Sequence, residues 1–444
     1  MLREVGEPGG FSRRLDASAL SDVARIGAPR RTAPVGRRLR ILLIVESSAG
    51  GTGRHVLDLA DGFVARGHEV HLVYSTGRID RFFQSRLAAM PRVVQVPLKM
   101  RTSIHPSDFG VVRAVRRHVK AHGPFDVIHG HSSKGGAIAR LAATGTRAVA
   151  LYTLHGLIMM DPGLAKWKRA MYLAIERILS LRTKRIIAVS PEESRAALDV
   201  GLGNSRVVVV PNGVDEVATV PREQAREELR LPPGAVAVGF IGRLVEQKAV
   251  DVLLKAFAQA AQDAPRLQLV VVGDGPLMHP LCELAANLDI AHRVIWLGER
   301  DARQVISAFD VFAISSRKEG LPYVVLEAMS AGLPIVATSS SGVEILVEPG
   351  VNGLVVPPDN VEGFADALAL LANSPEVRGR CAAASLRMIS RFSIDAMVEN
   401  SLAVYRSALP SHRAAAAAAD ADAGAGRRET LFEEPTVELS SELT

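Results

Sequence analysis

The stretch Arg40–Gly67, RILLIVESSAGGTGRHVLDLADGFVARG, decides how this chain is read. RILLIVES is an unbroken apolar run that ends in a glycine loop, and the loop enters a segment whose apolar residues recur at helical spacing. Strand, tight loop and amphipathic helix form the opening unit of a parallel βα series. The alternation continues through EVHLVYS (69–75), VVQVPL (93–98), DVIHGHS (126–132), AVALYTLH (148–155), RIIAVS (185–190) and VVVVPN (207–212). It pauses around Gly213–Arg230 and restarts with AVGFIGRL (237–244), LQLVVVGDG (267–275), VIWLGE (294–299), VFAISS (311–316), LPIVATSS (333–340) and GLVVPP (353–358). Near-continuous apolar strands need cover on both faces, so each series predicts a doubly wound α/β domain. The expected boundaries are a first domain over 38–214, a hinge near Asn212–Val217, and a second domain over 215–391. A last helix over 392–410 is expected to cross back to the first domain. Two such domains facing each other leave a deep cleft between the carboxyl ends of their strands, where open α/β sheets bind ligands.

The flanks behave differently. Residues 1–37 are broken by PGG, APRR and APVGRR, and 411–444 open with AAAAAADADAGAG and end acidic. Both are expected to be disordered tails. Of the net charge of +6, residues 1–40 hold +5 and residues 411–444 hold −4, so the remaining core carries only +5. With no basic stripe interleaved with aromatics, nucleic acid is not an expected partner. Two cysteines, Cys282 and Cys381, make no disulfide framework and suit a reducing compartment. No apolar run approaches the roughly 18–20 residues that span a bilayer, and the Arg-rich start lacks a following apolar segment. A cytoplasmic chain is the expectation.

Five loops at strand ends carry candidate chemistry. SAGGTGR opens a helix, where backbone amides attract phosphate and Gly50 and Gly51 allow close approach; a plain βα turn is the alternative. GRLVEQK (242–248) puts Arg243 and Lys248 where two cations could clamp a diphosphate, or could simply be a solvated loop. GDGPL (273–277) reads as a turn before a helix. RKEGLPYVVLEAMSAG (317–332) is more informative. Pro322 favours a helix starting at Leu321–Pro322, so Glu319 precedes that helix and Glu327 falls in its second turn. The amides near Gly320–Tyr323 then form an anion nest, and Glu327 is placed to accept from two hydroxyls of a ribose; salt-bridging surface carboxylates are the alternative reading of Glu319 and Glu327. No Asp-x-Asp or His-x-x-x-His cluster accompanies these carboxylates, so no metal ion is expected. In DVIHGHSSKGG (126–136), His129 and His131 are taken to face opposite sides of a strand, and the pair is not expected to bind zinc. His131 and, in TLHG, His155 are candidates for polar substrate contacts or for strand-end capping.

Together the segment EGLPYVVLEAMSAGLPIVATSSSGVEIL…GVNGLVV, with GRLVEQK, VVVGDGP, WLGE, AVSPEE and VPNGVD in order, resembles glycosyltransferase family 4 over about residues 39–409. HGHSSKGGAIARLAA followed by LYTLHG resembles the subset that builds exopolysaccharide, capsule or O-antigen chains. The resemblance implies a GT-B fold of two Rossmann-like domains and retaining, metal-independent transfer from a nucleoside-diphosphate sugar, with no cofactor. It also implies roles. Arg243 and Lys248 would neutralise the leaving diphosphate, Glu327 would hold the ribose, Glu319 and His131 would lie at the donor sugar, and Gly51 would meet the phosphate. The catalytic candidates are thus Glu319, His131, Arg243 and Lys248. The donor-binding candidates are Gly50, Gly51, Arg243, Lys248, Gly273, Glu319, Gly320, Leu321, Pro322, Tyr323 and Glu327, and His155 and Lys134 are assigned to the acceptor side. One departure is QKA where the family has QKG; Ala249 is expected to be tolerated there.

A sugar-nucleotide epimerase of similar architecture and a non-catalytic nucleotide-sugar-binding scaffold remain as alternatives. GLAKWKRAMYLAIERILSLRTKR (163–185) holds seven cations, one acid, Trp167 and Tyr172, which suits a helix lying on an anionic membrane face near a lipid-linked glycan acceptor. A core-packed helix with a solvated basic face is the other reading.

Overall fold

The computed structural model describes residues 37–160, 163–203, 206–215, 219–340 and 342–410; the two tails read as disordered lie outside these, apart from Arg37. The first domain runs β1 (Arg40–Val45), α1 (Gly50–Ala65), β2 (Glu69–Ser75), α2 (Arg81–Ala88), β3 (Val94–Leu98), α3 (Ser107–His122) and β4 (Val127–His131). It continues through α4 (Ser132–Ala143), β5 (Val149–Thr153), α5 (Lys166–Ser180), β6 (Arg185–Ala188), α6 (Pro191–Asp199) and β7 (Val207–Val209). All seven strands are parallel, in the order β3-β2-β1-β4-β5-β6-β7. The second domain holds α7 (Arg222–Glu228), β8 (Val236–Ile241), α8 (Val250–Asp263), β9 (Leu267–Val272), α9 (Met278–Asn287), β10 (Val294–Trp296) and β11 (Val311–Ile314). After these come α10 (Tyr323–Ser330), β12 (Ile335–Thr338), β13 (Gly353–Val356), α11 (Val361–Asn373) and α12 (Pro375–Ile389). Its parallel sheet has the order β10-β9-β8-β11-β12-β13.

The order of each sheet turns back beside its first strand, between β1 and β4 and between β8 and β11. At such a switch point the loops leave in opposite directions and open a crevice at the carboxyl ends. The loops that leave here are Glu46–Ala49 and the end of β4 in one domain, and Gly242–Ala249 and Ser315–Pro322 in the other. Rigid strands anchor them, because Ile41–Val45 and Val311–Ala313 are all fully buried.

Helix α13 (Ile394–Ala408) belongs spatially to the first domain. Met397, Val398, Leu402 and Tyr405 share a buried cluster with Val56, Leu59 and Phe63 of α1. The two helices pack so closely that a Cβ on Gly62 would lie 2.4 Å from Val398. The chain crosses between domains twice, and the crossings touch: Val214 N–H donates to Phe392 O at 2.8 Å, and a Cβ on Gly213 would meet Ser393 O at 2.3 Å.

Ala249 differs from the expectation that it is easily tolerated. It sits at φ 48, ψ 43, in the left-handed region, with its methyl fully buried. That region crowds Cβ against the carbonyl and favours glycine. Ala249→Gly is expected to stabilise the chain by about 1 kcal/mol, read as a higher denaturant midpoint at unchanged slope.

Candidate functional site

Of the residues singled out from sequence, Lys134, His155, Glu319 and Gly320 line one cleft of about 1470 Å³, whereas Gly50, His131, Arg243, Gly273 and Glu327 line neither it nor the recess beside it. A smaller recess of about 280 Å³ adjoins it, lined by Gly51, Thr52, His155, Asn212, Lys248 and Glu319–Val324.

On the second-domain wall, helix α10 begins at Tyr323 with Pro322 as its cap, one to two residues later than read from the sequence, and Glu327 falls in its second turn. The N–H groups of Leu321, Tyr323 and Val324 make no hydrogen bond among the described residues, and these residues line the recess. Such amides, with the helix dipole behind them, suit an anion. Gly320 takes its place because Gly342 presses on it: a Cβ on Gly342 would stand 1.4 Å from Gly320 O. Lys248 Nζ lies 2.6 Å from Glu319 Oε1. Two more hydrogen bonds knit their loops together, Ser315 Oγ to Lys248 O at 2.9 Å and Gln247 Nε2 to Lys318 O at 2.8 Å. Arg243 is exposed and makes no ion pair among the described residues. Gly273 has φ 128, and a Cβ there would come 1.9 Å from Gly242 O, so it fixes the close approach of two strand-end loops.

Glu327 is buried, and its Oε1 meets Arg54 of α1 at 2.5 Å across the cleft. The Arg54 guanidinium also stacks 4.6 Å from the Tyr323 ring centroid. Burial pulls the Arg54 pKa down, but Glu327 and Asp58 outweigh it and the pKa ends raised. Glu327 is thus a salt-bridging carboxylate, buried rather than at the surface, and its partner Arg54, the last residue of SAGGTGR, was not among the residues singled out.

On the first-domain wall, Gly50 has φ 65 and its N–H donates to Asp80 Oδ2 at 2.7 Å, so that amide is already engaged. Gly51 is exposed, and a Cβ there would touch Tyr323 at 3.4 Å, which places it opposite α10. Lys134 donates to Asp108 Oδ2 at 2.8 Å and to Ser103 O at 2.6 Å. Glu46 is buried beside it, its Oε1 unpartnered among the described residues, and burial raises its pKa against the pull of Arg78 and Lys134.

The histidines require a correction. His129 and His131 do not face opposite sides: their ring centroids are 4.1 Å apart, because residues i and i+2 of a strand share a face. His131 Nδ1 lies 3.2 Å from His155 Nε2, and His55 of α1 joins them, its Nδ1 2.9 Å from Asn212 Oδ1. Burial pushes the His55 pKa down to about 4 and that of His129 to about 3, and holds His131 and His155 low as well. All four rings are therefore neutral near pH 7. Asn212, at the hinge, also donates from Nδ2 to Leu321 O at 2.9 Å, tying α1 to the loop before α10. His55 and Asn212 were legible only as letters within GGTGRH and VPNG; nothing in their spacing gave them a role.

Two doubly wound domains meeting at their switch points, with cations and helix N-termini lining the cleft, define a GT-B glycosyltransferase. The family models described as Glycosyltransferase Family 4 and Glycosyl transferases group 1 match residues 49–217 and 221–388. The D-inositol 3-phosphate glycosyltransferase of Actinosynnema mirum is 30% identical over 389 residues, covering 81% of this chain and 93% of that protein. The protein of the same name from Nocardia farcinica is 30% identical over 81% of this chain and 85% of its own. Among solved structures, Anabaena HepE in complex with UDP and glucose superposes with TM-score 0.72 at 21% identity, over 83% of this chain and all of that one. The sucrose-phosphate synthase of Thermosynechococcus elongatus gives TM-score 0.71 at 21% identity, over 84% and 99%. The chain belongs to glycosyltransferase family 4, and it is an enzyme of that class.

Proposed function

We propose that the protein moves a hexosyl group from a nucleoside-diphosphate sugar, a UDP-sugar by preference, to an acceptor with retention of configuration. The observation that carries this reading is Lys248, held against Glu319 in the recess that the open amides at the start of α10 also line. A leaving diphosphate needs its growing charge met by preorganised cations and N–H donors, and this corner holds both. UDP is favoured because HepE, of the same fold, is solved with UDP and with UDP-glucose.

In the proposed reaction the C1–O bond to the diphosphate breaks while the acceptor oxygen bonds C1 on the same face. The acceptor's proton passes to a phosphate oxygen, so no protein base is required. Lys248 and Arg243 stabilise the diphosphate, Glu327 accepts from the ribose hydroxyls through Oε2, and Glu319 borders the sugar, while the wholly buried His131 backs His155 on the cleft wall. Incubation with the donor alone separates this from an epimerase: a transferase releases nucleoside diphosphate by slow hydrolysis, and an epimerase returns an intact donor with an altered sugar.

For the acceptor we favour a lipid-linked glycan in cell-surface polysaccharide synthesis, met at an anionic membrane face. The support is α5. Trp167 is 66% exposed, Ile178 65% and, just past the helix, Leu181 76%, among Lys166, Lys168, Arg169 and Arg182. Its one acid, Glu176, turns inward to Arg140 at 2.8 Å. No helix among the described residues is long and apolar enough to cross a membrane, so contact would be peripheral. Reversing Lys166, Lys168 and Arg169 to Glu should abolish pelleting with anionic liposomes, at roughly 1 kcal/mol per cation. Failure of the wild type to pellet removes the membrane reading. The names of the curated relatives favour a second acceptor class, a phosphorylated polyol, for which Arg78 and Lys134 line the acceptor side of the cleft. Product formation with an inositol phosphate and none with lipid-linked glycans would select it.

A further inference from the structure

Four histidine rings crowd the carboxyl ends of β4 and β5, and three of them converge. His129 is committed elsewhere, with Nδ1 2.6 Å from the Tyr405 hydroxyl and Nε2 2.8 Å from Thr153 Oγ1. His55, His131 and His155 each bring one ring nitrogen to within 4.8 Å of the other two. They come from three separate elements: α1, the last residue of β4, and the loop after β5.

Their geometry resembles an assembled ligand set. Imidazole nitrogens around a tetrahedral zinc ion, each 2.0–2.1 Å from it, stand about 3.3 Å apart. His131 Nδ1 and His155 Nε2 are already at 3.2 Å, a contact the two rings fill with a hydrogen bond when no ion is bound. His131 is wholly buried, yet among the described residues its Nε2 has no hydrogen-bond partner, so they leave the ring incompletely satisfied. His55 is oriented from outside the cluster. Asn212 Nδ2 donates to Leu321 O, which leaves Asn212 Oδ1 as an acceptor facing His55 Nδ1. Nδ1 then carries the proton and Nε2 the lone pair, the tautomer and outer-shell contact that metal-ligating histidines use.

We propose that His55, His131 and His155 form a three-imidazole site for one Zn²⁺ or a similar borderline divalent cation, its fourth position open to the cleft. His155 is half-buried and lines both the cleft and the recess, which gives the ion an entrance. Neutral nitrogen donors select Zn²⁺, Ni²⁺ or Cu²⁺ over Mg²⁺ and Ca²⁺. The ion would lie beside the recess that Gly51, Glu319 and Gly320 line, so it would inhibit the enzyme in competition with the donor. That consequence rests on the proposed donor site; the binding does not.

The test uses the full chain, stripped with chelator and titrated with Zn²⁺ against a chromophoric competitor. One equivalent is expected to bind tightly, and Co²⁺ in its place should show the intense visible absorption of a tetrahedral ion. His155 has φ 53, which asparagine adopts readily, so His155→Asn removes the ligand with little backbone strain. It should weaken Zn²⁺ by about 100-fold or more, and Asn212→Ala by about 10–100-fold as an outer-shell loss. His279→Ala, on an 82% exposed side chain of α9, should change nothing. No bound equivalent in the wild type, or unchanged affinity in His155→Asn, overturns the site. Tight binding with undiminished donor turnover keeps the site and overturns its placement beside the donor.

Discussion

Lys248→Ala is expected to lower the rate of sugar transfer by about 10²-fold or more, the scale of losing one preorganised charge contact to a transition state. The side chain has little structural burden to confuse the result. Its ammonium is partly exposed, and among the described residues its one ion pair is with Glu319 at 2.6 Å. The backbone loop is held independently by Ser315 and Gln247, whose bonds the substitution leaves in place. The loss should fall on kcat, because the charge that Lys248 meets develops as the diphosphate departs. Steady-state kinetics on folded protein checks this. A variant within about threefold of wild type would remove Lys248 from the leaving-group role.

Glu327→Ala should raise the donor KM by about 10–100-fold, as expected when hydrogen bonds to a charged acceptor, worth about 1.5–3 kcal/mol, are lost. The same change strips Arg54 of its closest partner and leaves a largely buried guanidinium beside Asp58, 3.7 Å away. A separate stability loss of a few kcal/mol is therefore expected. The two effects can be split. Combining Glu327→Gln with Arg54→Met removes both charges of the pair and should recover much of the stability, because neither partner is then stranded. The donor KM should stay high. Denaturation curves and donor titrations on the single and double variants make the comparison. Recovery of donor affinity together with stability would show that Glu327 serves only as an interdomain tie.

The sheets were open to reading because parallel strands are buried on both faces and appear as apolar runs. Each run quoted from the sequence coincides with one of the thirteen strands among the described residues, and only AVGFIGRL misses its strand's first residue, Val236. The second-domain site was readable for a related reason: Glu319, Pro322 and Glu327 lie within one turn and helix, where short spacing fixes geometry. Interactions across the cleft were not readable. Arg54 reaches Glu327 over 273 positions of sequence, and His55 reaches Asn212 over 157, so no local period reports either. The histidine strand was misread through its own period, since two residues apart means one face and not two. Ala249 concealed its left-handed backbone because alanine announces a helix, whereas a glycine there would have signalled the turn.

The retention claim meets its most direct test in the anomeric configuration of the sugar first released or transferred. UDP-, GDP- and ADP-hexoses are incubated with the protein, and proton NMR follows the anomeric signals from the earliest time points. The expected result is nucleoside diphosphate formed together with a sugar that keeps the donor's anomeric configuration, for at least one donor. An inverted anomer, or an intact donor with an epimerised sugar, would contradict it.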